Sequence, residues 1–262
     1  ATYRGTGGFS EPETQAVRDF INTREFVNVL HYHSYGNMYI HPFGDGSYPD
    51  SLGLLTFRGL ANEMSVYNNF IFGTGYETVG YTVNGDAVDW TYGEQDIISY
   101  VPEVGSQAQG FWPSENEIIQ LCEDQVHPNK TIAFVAGADL ILHSYEAEQE
   151  QINPGDQFNI EITIQNRGLT NSQGDALVNI EPLNNFTQID MNSYVFSEID
   201  SRDSDSFTIS SSILESAPSG AYSGLILSIE NQGSFSRQDT IKYFVGTPEI
   251  LFADGFENGL DN

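Results

Sequence analysis

The 262-residue sequence has a single cysteine, Cys122. One thiol cannot close an internal disulfide, so cysteine usage says nothing about compartment. In its local helical pattern, behind Ile118 and Leu121, Cys122 reads as a small core residue. Basic side chains are scarce too. Nine Lys and Arg stand against 37 Asp and Glu, a formal net charge of −28. Such a surface repels nucleic-acid phosphates and anionic lipid headgroups, which argues against nucleic acid as a partner. The acidity otherwise reads as a solvated surface suited to salty surroundings. No apolar run reaches the ~20 residues that a membrane-spanning helix needs. No signal peptide pattern opens the sequence, and Ala1-Thr2-Tyr3-Arg4-Gly5 reads as a mature or truncated start.

Apolar residues are present in core-forming amount, at 39%, and aromatics are plentiful, with 17 Phe and 14 Tyr. The length suits one large domain or two ordinary ones. In the first half, helix and strand signals alternate. Ser10-Glu11-Pro12-Glu13 has the form of a capping box with an early proline, followed by Ala16, Val17, Phe20 and Ile21 at helical spacing. Glu25 to His33 reads as a buried strand. Leu55 to Val66 carries Leu60, Ala61 and Met64 on one helical face, and Ile97 to Val104 reads as another strand. Ser114 and Glu117 form a second capping box before Ile118 and Leu121. This alternation predicts an α/β layer structure.

The pattern changes at Ala136 to Asp139. From Asp139 to Val245 there is no helical period. Phe158, Ile160, Ile162 and Ile164 alternate with polar residues, as do Leu225, Leu227 and Ile229. Turn signals lie between such runs: Asn153-Pro154-Gly155-Asp156, Asn166-Arg167-Gly168, Pro218-Ser219-Gly220 and Asn231-Gln232-Gly233. Short alternating strands at this spacing predict an all-β, immunoglobulin-like antiparallel sandwich. The domains are therefore expected at 1–137 and 138–247. Residues 248–262 read as a linker or the start of a further module.

Taken alone, the chemical signals are modest. His31 and His33 flank Tyr32 on a strand and share one face, where they could hold a metal or serve structure. Glu103 ends an apolar strand, as either a surface acid or a buried carboxylate with a raised pKa. Asn129-Lys130-Thr131 and Asn185-Phe186-Thr187 fit the glycosylation pattern, a frequent chance match.

Several blocks in order say more. His33-Ser34-Tyr35-Gly36 precedes His41-Pro42-Phe43-Gly44. Tyr81, Asp89-Trp90, Tyr92-Gly93, Glu103 and Gly110-Phe111-Trp112-Pro113 follow. With the Ser10-to-Phe20 helix before them, these blocks resemble the C-terminal half of the catalytic domain of the carboxypeptidase A-like zinc carboxypeptidases. The pattern is closest to bacterial members of the carboxypeptidase T type, and it covers residues 2 to about 136.

The resemblance implies a partial carboxypeptidase-type mixed sheet with flanking helices. It also implies a hydrolase acting on the C-terminal residues of peptides or proteins in a secreted, extracellular setting. It makes His33 a ligand of one zinc ion and Glu103 the general base. Tyr81 becomes a loop residue that closes over the substrate, and Ser34, Tyr35 and Phe111 line the subsites. Val88 takes the pocket-bottom position, which favours apolar C-terminal side chains. Asp86 takes the position of an acid linked to acceptance of Lys or Arg, although Asn84-Gly85-Asp86 is also a natural turn.

The family's other two zinc ligands come from an upstream His-x-x-Glu, and its terminal-carboxylate site from upstream arginines and an Asn-Arg pair. None of these blocks occurs here, and Arg4 does not replace them. The remaining ligands are thus expected outside this chain, on the missing N-terminal half of the catalytic domain. This chain alone is expected to be inactive. A half-sheet would also expose an apolar strand edge, which is an aggregation hazard. The rival reading is a secreted, non-catalytic binding or adhesion module with a degenerate peptidase half and a functional sandwich. Retention of His33, Tyr81 and Glu103 together favours the enzyme.

Overall fold

A computed structural model describes residues 5–231 and 236–247 of the chain. The chain divides into two compact units, 1–136 and 137–262. The turn signal at Gln232-Gly233 and the tail from 248 lie outside the described residues.

The first unit begins with helix α1 (Pro12–Asn22). The expected Ser10 capping box is not formed. The N-cap is Glu11, without a side-chain cap, and the Ser10 hydroxyl instead bonds the Glu11 carboxylate and the Thr6 N–H. Pro12 takes the first helical position, where a missing N–H costs nothing. Of the expected apolar stripe, only Ile21 is buried, while Val17 and Phe20 stay exposed.

Four short strands follow at intervals: β1 (Asn28–Leu30), β2 (Met38–Ile40), β3 (Ile71–Gly73) and β4 (Ile98–Glu103). They form one mixed sheet in the order β1-β4-β2-β3, with β1–β4 and β2–β3 parallel and β2–β4 antiparallel. The expected buried strand from Glu25 to His33 is shorter and only half-buried, because β1 sits at the sheet edge with one neighbour. Its backbone pairing still runs on: His31 N–H donates to Tyr100 O, and His33 N–H to Pro102 O.

Side-chain alternation gives this sheet two distinct faces. One face carries Tyr39 and Tyr100 beneath helix α2 (Ser51–Met64), whose Phe57, Leu60, Ala61 and Met64 are buried. Tyr100 Oη donates to Phe57 O at 2.7 Å. Helix α6 (Val126–Val135) covers the same face, where Asn28 Nδ2 donates to Ile132 O at 2.9 Å. The other face receives helix α4 (Ala87–Gly93), tied by Ser99 Oγ donating to Val88 O at 3.0 Å. Helix α3 (Gly75–Thr78) lies between β3 and α4, closed by a Thr74–Glu77 capping box.

Helix α5 (Glu115–Glu123) starts with the expected Ser114–Glu117 capping box but buries no residue. Cys122 is accordingly exposed and is not the core residue that the pattern suggested, because nothing among the described residues covers that helix face. Leu52 and Leu55 on α2 and Trp112 before α5 are also largely in solvent.

The second unit has eight strands among its described residues: β5 (Leu140–Ala147), β6 (Gln157–Asn166), β7 (Ala176–Pro182), β8 (Thr187–Ile189), β9 (Ser193–Phe196), β10 (Ser204–Ile213), β11 (Ala221–Asn231) and β12 (Arg237–Val245). They make two four-stranded antiparallel sheets, β5-β6-β10-β8 and β12-β11-β7-β9. The alternating residues read from the sequence point inward. Ile160, Ile162, Ile164, Leu225, Leu227 and Ile229 join one hydrophobic cluster drawn from both sheets. Near the unit's start, the Asp139 carboxylate binds both Arg167 and Arg237 and so ties the first strand to the last.

Candidate active site

The parallel pairing of β1 with β4 brings two chain segments to the same sheet end. His33 lies just past β1 and bridges to Glu103, the last residue of β4. Val104 N–H donates to His33 O, which fixes the backbone there at 3.0 Å. Both side chains then fall on the face that carries α4. His33 Nδ1 lies 3.2 Å from each Glu103 carboxylate oxygen. The imidazole is 65% exposed and the carboxylate only 14%. A half-open imidazole beside a sheltered carboxylate can bind an electrophile on one side and take a proton on the other.

Beside this pair runs a groove of about 680 Å³, lined among others by His33, Ser34, Val104, Ile118, Leu121 and Cys122. The Ser34–Tyr35 and Pro42–Phe43 peptide bonds flanking β2 are cis. The Tyr35 ring meets Phe111 edge-on, with centroids 4.9 Å apart. Tyr81 stands apart in solvent, 60% exposed, and makes no hydrogen bond or ring contact with His33 or Glu103.

Asp86 and Val88 sit at the start of α4. Asp86 is its N-cap and accepts the Val88 N–H at 3.3 Å, so the turn role is real whatever else the residue does. Val88 is fully buried. Asp89, whose part the sequence left open, accepts the Gly44 N–H with both oxygens and so pins the loop after β2 to α4. Burial pushes its carboxyl above the usual range. The Gly44 N–H pulls it back, and Asp86 and Asp45 push the same way as burial. The Asp89-Trp90 pair was a visible signal of this contact.

The other histidines do not join His33 in a metal site. His41 lies on the opposite sheet face, stacked on Phe57 at 5.2 Å and wholly buried, its Nδ1 against Pro42 O. His31 shares the face of His33, and burial holds its imidazole below the usual histidine range against the pull of Asp86. Among the described residues there is no group of three or more His, Cys, Asp or Glu that could hold a metal ion. A catalytic zinc takes about three protein ligands and one open position. His33 therefore fits one corner of such a site, and the donors present do not complete it.

Residues 1–127 match the family model of zinc carboxypeptidases. Among curated proteins, carboxypeptidase B of Rattus norvegicus is 31% identical over 140 residues, covering 50% of this chain and 34% of its own length. Zinc carboxypeptidase A 1 of Anopheles gambiae is 29% identical over 136 residues, covering 47% of this chain and 31% of its own length. Among solved structures, bovine thrombin-activatable fibrinolysis inhibitor in complex with tick carboxypeptidase inhibitor aligns at 25% identity with a TM-score of 0.45, over 50% of this chain and 47% of that one. The chain thus spans about a third of the length of the curated relatives it matches.

Proposed function

We propose, from the premise that residues 1–127 belong to the zinc carboxypeptidase family, that this segment supplies the base and the side-chain pocket of a secreted carboxypeptidase. That enzyme releases C-terminal residues from peptides or proteins. The observation that carries the reading is the His33–Glu103 pair, an imidazole and a sheltered carboxylate 3.2 Å apart within the family-matched segment.

Zinc, when bound, lowers the pKa of a water to about 7 and polarises the scissile carbonyl. In this chain His33 would provide one ligand. The remaining ligands would have to come from outside this chain, since the described residues hold no further group that could complete the site. Glu103 takes a proton from the attacking water, whose oxygen bonds the scissile carbon. The same carboxyl then returns that proton to the leaving amine as the C–N bond breaks, giving a shortened peptide carboxylate and a free amino acid. Ser34, Tyr35 and Phe111 border the peptide, and Tyr81 moves in from solvent to cover the terminal residue. Asp86 and Val88 receive its side chain. The second unit is an immunoglobulin-like accessory module.

A second reading has one observation in its favour: the described residues hold no three-ligand metal group. On that view the first unit is a degenerate peptidase half in a binding protein. Zinc content and cleavage, measured on this chain alone and on the protein assembly that contains it, separate the two. Carboxypeptidase function predicts little zinc and no cleavage for the isolated chain. The assembly should hold stoichiometric zinc, with cleavage that stops when the peptide's C-terminus is amidated. An assembly that neither holds zinc nor cleaves supports the binding module.

A further inference from the structure

We propose that Asn84-Gly85 is a site of spontaneous covalent modification, at which the Gly85 main-chain nitrogen attacks the Asn84 side-chain amide and converts Asn84 to aspartate or isoaspartate, loosening the seat of α4 as the protein ages. The chemistry needs only water, and neither zinc nor a substrate takes part.

Sequence supplies the reactive pair, since Asn84 is the one asparagine followed by glycine among the described residues. Glycine has no Cβ, so its nitrogen can come close to the asparagine Cγ. Structure leaves the pair unprotected. Both residues are exposed in the bend before α4. Gly85 has φ +85°, and a Cβ added to it would meet nothing within 4 Å. Among the described residues, nothing bonds the Asn84 amide or the Gly85 N–H. Asn171, followed by Ser172, is the opposite case. Its Nδ2 donates to Glu198 and Asp200, and its Oδ1 accepts the Ser201 N–H. The Ser172 N–H donates to Ile199 O. Amide and attacking nitrogen are both held there.

The steps balance with water as co-reactant. The Gly85 nitrogen loses its proton and bonds Asn84 Cγ. The Cγ–Nδ2 bond breaks and ammonia leaves, which closes a succinimide ring. Water then opens the ring. Attack at Cγ gives aspartate, and attack at the main-chain carbonyl gives isoaspartate, whose main chain runs through Cβ and Cγ. The extra methylene falls between two anchors that meet at Gly44. On one side the Val83 N–H donates to Gly44 O at 2.8 Å. On the other the Gly44 N–H donates to both Asp89 oxygens, at 2.9 and 3.0 Å, with Asp86 capping α4 between them. A longer link between fixed ends must displace one of them, and α4 rests on the second.

The test incubates the full chain, without denaturant, in warm, mildly alkaline buffer and follows it by mass-spectrometric peptide mapping. The Asn84 peptide is expected to gain the mass difference between water and ammonia, to split into two isomers on chromatography, and to convert several-fold faster than the Asn171 peptide. Asn84→Ser, which removes the amide from an exposed side chain without a partner, should show no such gain. Gly85→Ala should slow it, and Asn84→Ser keeps the comparison available if alanine is not tolerated at positive φ. Trp90 and Trp112 fluorescence in urea reads the consequence: the midpoint of the parent should fall with ageing while that of Asn84→Ser stays. An Asn84 peptide that does not convert, or converts no faster than the Asn171 peptide, overturns the site. Conversion with an unchanged midpoint, or an equal fall in Asn84→Ser, overturns the loosening of α4.

Discussion

His33 Nδ1 stands 3.2 Å from both oxygens of Glu103, 70 positions further along the chain. Glu103 ends β4 and His33 lies three residues beyond the end of β1, and the parallel ladder between β1 and β4 fixes the approach. Different outcomes are expected when each partner is removed from the complete protein. Glu103→Gln should retain zinc and lose about two to four orders of magnitude in turnover, because an amide cannot take the proton. His33→Ala should lose zinc itself. Metal analysis beside steady-state kinetics reads both, and full activity in Glu103→Gln would place the base elsewhere.

Acid should weaken the first unit through His41. Burial holds this imidazole below the ordinary histidine value of 6.5. The Pro42 carbonyl and Glu77 pull it upward, and Arg58 pushes it down. The folded state thus binds fewer protons than the unfolded chain, so stability rises with pH in this range. The contribution is complete above about pH 6.5 and is lost as pH falls below it. His41→Phe should flatten the difference between urea midpoints at pH 7.5 and pH 5.5. Both tryptophans, Trp90 and Trp112, lie in the first unit, so their fluorescence follows that unit alone. Equal pH dependence in parent and variant would remove His41 as the cause.

In the second unit, Asp139 is 6% exposed and holds two guanidiniums, Arg167 at 3.1 Å through Nε and Arg237 at 2.9 Å. Removing the acid leaves two cations without this partner. Both arginines keep about a quarter of their side-chain surface in water, at 22% and 27%, which softens the loss. Asp139→Ala is expected to cost up to about 3 kcal/mol. Chemical denaturation followed by circular dichroism in the β-sheet region measures it. A change within experimental error would show that solvent replaces both contacts.

Gly224 sits on β11 where the neighbouring backbone comes close. A Cβ there would run into the Ile241 carbonyl oxygen. That atom is main chain and cannot rotate away, so the β11–β12 pair must part. Gly224→Ala should destabilise the sandwich by at least about 1–3 kcal/mol, the usual scale of overpacking. A variant as stable as the parent would mean that β12 yields there at no cost.

Patterns with a strong local cause were legible in the sequence. The Ser114–Glu117 box is written within four residues and forms as written. The period-two runs at Phe158–Ile164 and Leu225–Ile229 are buried on their expected faces, because a strand's alternation is geometric. The family blocks also identified the matched segment, since their order survives in one dimension.

Burial was not decided there. Val17, Phe20 and Cys122 carry helical apolar spacing yet stay exposed, because burial needs a second surface that spacing cannot supply. The role of Ser10 was missed for a related reason: its hydroxyl found the Glu11 carboxylate instead of a helix N–H. The pairing of His33 with Glu103 and the exclusion of His41 depend on which face each strand presents once the sheet forms. Sequence fixes which residues alternate, whereas the β1–β4 ladder and the helices packed on it decide which face is chemical and which is core.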